Sequence, residues 1–215
     1  MFHTLVNAFQ ETLFMVLTAG FLTVLLGLPL GFLIFKQQAN HSPLLKFFKM
    51  LVQVTESTPY VIIILALVPM IQFLMDNILE QHLNPAMIAV IPLTLSSIPY
   101  FSRALANALD KVPQGLIEVA KSMGATPLQI VRKILIPESL PYIIKSLTQT
   151  LVQLIGLSIL VGALGYGGLG QLVVNKGYPS LDIPYLIATL LILITLVQLI
   201  QRSGAYLAHG TLKHV

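Results

Sequence analysis

The chain of 215 residues contains no cysteine and very little charge. The lack of cysteine excludes a disulfide-stapled scaffold, a thiolate metal site and a cysteine nucleophile. Charged residues make up 9% of the chain and hydrophobic residues 56%, against about 25% and about 45–50% in soluble domains. This composition excludes disordered, coiled-coil and collagen-like proteins, which need polar or periodic sequences. The sequence therefore indicates a protein embedded in a lipid bilayer.

Five stretches without acidic or basic residues are long enough to cross a membrane, which takes about 20 apolar residues. We predict spans at 12–35, 57–75, 85–102, 146–165 and 183–201. The first is interpreted as a retained helix and not as a cleaved signal, because no Lys or Arg precedes it. Five spans place the two termini on opposite sides of the membrane.

The basic residues predict the orientation of these spans. With the N-terminus outside, each of the 12 Lys and Arg residues except Lys176 falls on the cytoplasmic side. This distribution agrees with the positive-inside rule. The sequence thus predicts an all-α membrane protein with an N-out, C-in orientation, a single transmembrane domain over 1–215 and a long cytoplasmic loop over 103–145.

The sequence predicts no catalytic residue, no metal site and no nucleotide site. A formal dinucleotide fingerprint, Gly165-x-Gly167-x-x-Gly170, ends a predicted span and lacks the preceding strand and the later acidic residue that nucleotide binding requires. These glycines are interpreted as a tight turn that packs close to neighbouring backbone. No Lys directly follows a Gly, which excludes a phosphate-binding loop, and the histidines lack metal-ligand spacing.

The predicted spans contain uncharged polar residues in place of charges. They are Gln72, Thr94, Ser96, Ser97, Gln149, Thr150, Gln153 and Ser158. Each has two interpretations: hydrogen bonding between helices, or the lining of a path for a polar solute. An uphill transporter without charged residues in its spans would draw its energy from elsewhere. A short motif, S-x-P-Y, occurs twice, ending at Tyr60 and Tyr100, and is interpreted as a helix end or kink.

The middle of the cytoplasmic loop, from Pro113 to Pro137, predicts two short helices around a glycine. The first ends at Gly124, a typical C-terminal cap. The second begins at Thr126, where Gln129 completes a capping box, and it ends at Pro137. The predicted apolar positions are Leu116, Ile117, Ala120 and Met123 in the first helix and Ile130, Val131, Ile134 and Leu135 in the second. From the pattern alone, this segment suits either a partner protein or an anionic lipid surface.

The same segment resembles a known loop. Glu118-x-Ala120-x-x-x-Gly124, followed after nine residues by Ile134-x-x-Pro137, resembles the EAA loop of the membrane subunits of ATP-binding-cassette importers, EAA-x3-G-x9-I-x-LP. The spacing matches throughout, and the resemblance extends over the five spans and the outer glycine-rich turn. The run from 115 to 141 is most similar to that of methionine-importer permeases.

Three positions depart from this family pattern. Val119 and Ile136 replace the usual Ala and Leu with other apolar residues, which changes the packing of the loop. Glu56 stands where similar permeases tend to have Arg, so a role that needs a positive charge there is in doubt.

The resemblance implies a type I importer permease fold in a bacterial inner membrane, with no nucleic-acid partner. It implies a homodimer that joins two cytoplasmic ATPase subunits, which bind the ATP, and an extracytoplasmic solute-binding protein. The implied solute is methionine, in its L and D forms. Contacts to the ATPase would come from Glu118, Ala120, Gly124, Ile134 and Pro137. In this interpretation the Glu118 carboxylate fixes the first short helix, and Pro137 leads the chain back to the membrane.

A path or gate is predicted at Ser97 and at three apolar residues, Leu157, Leu160 and Val161. Two copies facing each other across a dimer axis would exclude water there, although simple helix packing explains the same residues. Three alternatives to a methionine importer stay open: an ATP-driven permease for a different amino acid, a betaine or a phosphonate; an ATPase-independent transporter or channel; and a membrane scaffold.

Overall fold

The computed structural model describes residues 2–39, 50, 52–54, 59–78, 84–177, 179 and 182–212. Within these residues the chain is helical and contains no strand. Glu56 and the first two residues of the predicted span 57–75 lie outside the described residues.

The described helices, named here in chain order, are α1 (Phe2–Ala39), α2 (Tyr60–Ile78), α3 (Pro85–Leu109), α4 (Gln114–Ser122), α5 (Pro127–Ile130), α6 (Ile136–Val161), α7 (Gly168–Leu172) and α8 (Ile183–Leu212). Wider π-helical turns follow α5, α6 and α7, at Val131–Leu135, Gly162–Tyr166 and Val173–Gly177. Helix α1 packs along α3 and α6, α2 packs mainly on α3, and α8 packs on α6.

Four of the described helices are long and apolar enough to cross a membrane. They cover Phe2–Phe35, Pro85–Leu109, Pro127–Tyr166 and Ile183–Thr211, and they contain four of the five predicted spans. The remaining predicted span, 57–75, overlaps α2. The apolar part of α2, Tyr60–Phe73, is shorter than the four helices that are long enough to cross a membrane. The count of five spans and the N-out orientation stay predictions.

The helices on either side of the predicted cytoplasmic loop are longer than expected. Helix α3 continues past the predicted end at 102 to Leu109 and contains Pro92 and Pro99. Prolines are tolerated in such helices because neighbouring helices and local adjustments of the helix satisfy the backbone groups that they free. The segment that separates α3 from α5 is therefore 110–126, and the rest of 103–145 continues the flanking helices.

The prediction that Pro137 ends a short helix is wrong. Helical structure runs without a break from Pro127 through Pro137 to Val161. Proline lacks an N–H and its ring clashes with the carbonyl four residues earlier. Here the turn before it is widened, with the Ile136 N–H donating to the Val131 carbonyl five residues back. This wider turn accommodates the ring, so the second predicted helix is the beginning of a long one.

Small residues allow α1 and α3 to approach closely. A Cβ added at Gly27 or Gly31 would overlap the side chain of Phe101 or of Leu105. At this contact the Ser102 hydroxyl donates to the Gly27 carbonyl at 3.2 Å. Small residues and hydrogen-bonding hydroxyls are the usual means of helix association in lipid, where the burial of apolar surface contributes little to the free energy of association.

Candidate functional site

Helix α4 and its C-terminal turn form a rigid element between α3 and α5. Gly124 has a φ of +81°, and its N–H donates to the Lys121 carbonyl at 3.0 Å. The Ala125 N–H donates to the Ala120 carbonyl at 3.0 Å. These two bonds form a Schellman motif. The prediction of a C-terminal cap at Gly124 is confirmed.

The N-terminus of α5 follows two residues after this cap. The Gln129 N–H donates to the Thr126 hydroxyl at 3.4 Å, and the Thr126 N–H donates to the Gln129 side-chain oxygen at 2.9 Å. This is the predicted capping box. Because both helix ends are satisfied locally, the bend between α4 and α5 needs no partner to hold its shape.

The face of this element that points away from the rest of the chain is apolar, and we name it the loop surface. Its four residues are exposed by 44% (Leu116), 59% (Val119), 82% (Met123) and 76% (Leu128). The predicted apolar stripe of α4 is therefore divided: Ala120 is buried and Ile117 half-buried, while Leu116 and Met123 face outward. In α5 and the turn after it, Ile130 and Leu135 are buried as predicted. The sequence analysis missed Val119 and Leu128, although Leu116, Val119 and Met123 have the helical spacing of a second face.

The residues assigned to ATPase contact occupy different environments. Glu118 is exposed, and no hydrogen bond or ion pair reaches its carboxylate from the described residues; its main-chain carbonyl accepts from the Ser122 hydroxyl at 3.0 Å. Within the described residues the glycine cap holds the end of α4, and the expectation that the Glu118 carboxylate fixes this helix stays a prediction. Ala120 is buried, Ile134 is half-buried, and Pro137 is exposed on the continuous helix.

Half of the eight polar side chains named in the predicted spans hydrogen-bond within their own helix. The hydroxyls of Thr94, Ser96, Thr150 and Ser158 donate to carbonyls three or four residues earlier. Gln72 instead accepts a bond from the Tyr166 hydroxyl and so links α2 to the turn after α6. Among the described residues, the amide of Gln153 and the hydroxyls of Ser97 and Thr23 are buried without a hydrogen-bond partner.

A cavity of about 440 Å³ lies where α2, α3, α6 and α8 meet, and we name it the amide cavity. It is lined by Tyr60, Tyr100, Thr148, Gln149, Val152, Gln153 and Gln201. The two tyrosines, which end the two S-x-P-Y motifs, contact each other edge to face with ring centroids 6.4 Å apart. The repeated motif therefore places two aromatic rings together, a contact that the sequence analysis did not predict.

A second cavity of about 460 Å³ adjoins the first and shares Thr148, Gln149 and Gln201 with it. It extends between α6 and α8 to Lys145 and His209. Together the two cavities form a groove toward the ends of α6 and α8 that carry the basic residues.

The predicted gate residues lie in the core of the single chain. Leu157 is 6% exposed and Val161 0%, and Leu160 is partly buried against the same cluster. Ser97 is fully buried on α3. Their burial within one chain agrees with the helix-packing interpretation, and a role as a gate stays a prediction.

The glycine-rich turn after α6 is held by α1. Its left-handed glycines are Gly165 (φ +100°), Gly167 (φ +94°) and Gly168 (φ +73°). The Gly168 N–H donates to the Glu11 carboxylate at 2.7 Å, and the Leu169 N–H donates to the Thr12 hydroxyl at 2.9 Å. The sequence analysis did not identify Glu11, which directly precedes the predicted span 12–35. The contact joins residues 157 positions apart, and no local signal indicates it.

The interpretation of these glycines as a close-packed turn is confirmed. A Cβ at Gly162 would overlap the Gly167 carbonyl, and one at Gly170 would overlap the Ile159 carbonyl. Within the described part of the chain, no group of three His, Asp or Glu side chains is arranged to hold a metal ion.

Comparisons with known proteins place this architecture among transport permeases. The family model described as "Binding-protein-dependent transport system inner membrane component" matches residues 24–213. The "Probable D-methionine transport system permease protein MetI" of Vibrio cholerae is 38% identical over 204 residues, which are 93% of this chain and 88% of the relative. The D-methionine transport system permease protein MetI of Escherichia coli K12 is 35% identical over 166 residues, 75% of this chain and 74% of the relative.

Two solved structures share the fold. A chain of the MetNI methionine ABC transporter, solved in inward-facing conformations, superposes with a TM-score of 0.89 at 34% identity and covers 98% of this chain and 97% of its own. A chain of an amino acid ABC transporter, solved with histidines, superposes with a TM-score of 0.79 over 96% of this chain and 94% of its own. At 18% identity, this second likeness concerns the fold alone.

Proposed function

Because this chain belongs to the family of binding-protein-dependent transport system inner membrane components, we propose that it is the permease subunit of an ATP-driven methionine importer. The observation that carries the proposal is the likeness, over 93% of the chain in sequence and 98% in structure, to permeases described as serving methionine. The chain crosses the inner membrane several times, as its long apolar helices require.

The loop surface supports the coupling of this permease to an ATPase. Its large apolar side chains are exposed on α4 and at the start of α5, and the C-terminus of α4 and the N-terminus of α5 are both capped. Exposed apolar patches of this kind are typical of interaction sites. Glu118 adds an exposed carboxylate without a partner among the described residues. We infer that the ATPase contacts this surface and the predicted positions Glu118, Ala120, Gly124, Ile134 and Pro137. ATP would then bind to the partner, and this chain needs no nucleotide site.

A homodimer is the second part of the proposal. Only 11% of the most apolar stretch of α8 is buried within the chain, which leaves large apolar faces for lipid or for a second copy. The solved relative is a complex named MetNI, which supports an assembly of permease and ATPase subunits. We propose two copies of this chain, two ATPase subunits and an extracytoplasmic binding protein, with the N-terminus of the permease outside.

Reconstituted transport tests the function. The chain would be purified with the ATPase and the solute-binding protein encoded beside it and placed in proteoliposomes. We expect accumulation of radiolabelled methionine only with ATP, and none when the ATPase is omitted. ATP-dependent uptake of an unrelated solute, with no uptake of methionine, would reject methionine as the substrate but would agree with the proposal that the chain is part of an ATP-driven importer. Uptake by the chain alone would reject both.

A further inference from the structure

We propose that Thr23, Ser97 and Gln153 together hold an ordered water molecule where α1, α3 and α6 meet. Their polar atoms are buried and find no hydrogen-bond partner among the described residues. Thr23 and Ser97 are 0% exposed, and the amide oxygen and nitrogen of Gln153 are both buried. A buried polar group without a partner is costly, and buried waters usually satisfy such groups. The inference concerns helix packing and is independent of the transported solute.

The two hydroxyls do not use the partners that their own helices offer. On the same three helices the hydroxyls of Thr12, Thr94 and Thr150 donate to main-chain carbonyls four residues earlier. This bond is a common local solution for a hydroxyl inside a helix. Thr23 and Ser97 make no such bond. Because both residues are fully buried, their hydroxyls are directed at neighbouring helices.

The packing of α1 on α3 brings Thr23 and Ser97 to one level. A Cβ added at Gly27 would overlap the ring of Phe101, 74 positions later, and the same offset relates Gly31 to the leucine that it would overlap. The two helices are therefore parallel and keep a constant register. Thr23 and Ser97 have the same offset and lie one turn before the first of these pairs, so they face each other across the same contact.

The packing of α6 on α3 brings Gln153 to the same level. These two helices are antiparallel, and the Ser146 hydroxyl of α6 donates to the Ala104 carbonyl of α3 at 3.1 Å. Counting seven positions from this bond, away from the loop along both helices, leads to Gln153 and Ser97. Seven residues make about two helical turns. Both residues therefore lie on the faces that α3 and α6 present to each other.

Helix α1 closes the third side of this position. A Cβ added at Gly20 would overlap the side chain of Leu151 and contact that of Leu154. Gln153 lies between these two leucines in sequence, and Thr23 follows Gly20 by about one turn. The three unpaired groups thus come from three helices that pack against one another, and they surround a common point.

Water matches the chemistry of this position better than an ion does. A buried water makes about three hydrogen bonds, hydroxyls can donate or accept, and an amide does both. No acidic or basic residue occurs in 12–35, 85–102 or 146–161, so a bound ion would find no counter-charge on these segments of α1, α3 and α6. The three side chains make no hydrogen bond to one another, which a bridging water explains.

The sign of a stability change tests the proposal. Thr23→Val and Ser97→Ala each remove a hydroxyl with little change in shape. If the hydroxyls bind water, each substitution should lower the melting temperature of the solubilised permease by about 2–4 °C, the shift for about one hydrogen bond in a chain of this length. If the hydroxyls are unpaired, each substitution removes a costly buried group and should raise the melting temperature.

A double variant tests whether the two hydroxyls share one water. Thr23→Val combined with Ser97→Ala should lower the melting temperature by less than the sum of the single shifts, because either substitution already disrupts the same water. The matched control combines Thr23→Val with Thr94→Val, whose hydroxyl is buried but bonds within α3. The shifts of the control pair should add.

Direct observation decides the case if a variant does not fold. The wild-type permease, assembled with its partner subunits in lipid nanodiscs, would be imaged by electron cryomicroscopy at a resolution that shows ordered water. We expect a density peak about 2.7–3.2 Å from polar atoms of at least two of the three side chains. The inference is overturned if this peak is absent, if both single substitutions raise the melting temperature, or if their shifts add as in the control. None of these outcomes bears on methionine uptake, so the proposed function is tested separately.

Discussion

The glycine that ends α4 allows a sharp test of the loop geometry. Gly124 and Gly115 both lie in the segment 110–126, and a Cβ added at either would meet nothing within 4 Å. The two positions differ in backbone conformation, because only Gly124 has a positive φ, of +81°. Replacing each glycine by alanine therefore separates the effect of conformation from the effect of space.

The expected magnitudes follow from this difference. At Gly124, alanine must adopt the left-handed region, which costs about 1–2 kcal/mol. At Gly115, alanine raises helix propensity and stabilises α4 by up to about 1 kcal/mol. The two variants should thus differ by about 2 kcal/mol in the stability of the capped helix, which corresponds to about 30-fold in its opening equilibrium.

Hydrogen–deuterium exchange on the assembled complex measures that equilibrium. In Gly124→Ala the amides of α4 and of residues 124 and 125 should exchange faster than in the wild type, and in Gly115→Ala they should not. Gly124→Asn should lie between them, since asparagine tolerates the left-handed region. Gly124→Val should impair ATP-driven uptake most, because a β-branched residue is excluded more strongly from this region. Equal exchange in the two alanine variants would refute the reasoning.

Three further predictions concern the membrane part of the chain. In a thermal unfolding assay, Gly170→Ala should destabilise the solubilised protein by about 1–3 kcal/mol, because the added Cβ would overlap the Ile159 carbonyl. Gly156→Ala is the control and should not destabilise the protein, because the space around Gly156 is open. Similar melting temperatures for the two variants would contradict the close packing at Gly170. Glu11→Leu should lower the melting temperature, because it removes the acceptor of the Gly168 N–H and so costs about 1 kcal/mol. Glu11→Gln should largely preserve the melting temperature, because its amide oxygen can accept the same bond. Equal melting temperatures for the two variants would exclude a stabilising role for this bond. In sealed cells, cysteine introduced at position 176 should react with an impermeant thiol reagent and cysteine at position 121 should not, as the positive-inside rule predicts. Labelling of position 121 from outside would contradict the N-out orientation.

Local features of the element around Gly124 could be predicted because they depend on a few neighbouring residues. A left-handed C-terminal cap needs a glycine at one position, and a capping box needs Thr126 and Gln129 three residues apart. Both are present in the structure. The prediction for Pro137 was wrong because the helix-breaking tendency of proline acts through the preceding turn, and a widened turn removes the clash.

Contacts between distant segments could not be predicted in this way. The pairing of Tyr60 with Tyr100 and the bond from Gly168 to Glu11 depend on how whole helices pack. The exposure of Val119 and Met123 likewise depends on which side of α4 faces the rest of the chain. An amphipathic pattern specifies that a helix has a buried face, but when apolar residues surround the helix it does not specify which one.

The sequence by itself determined the class of the protein, the approximate positions of its apolar helices and the two caps of the loop, because hydrophobicity and capping act over short distances along the chain. Only the tertiary structure decided where the polar residues of the spans meet. Gln149 and Gln153 lie on one helix, whereas Gln201 and the two tyrosines come from three others. A cavity of this kind exists only when those helices pack together, since no single segment carries enough of it to be recognised alone.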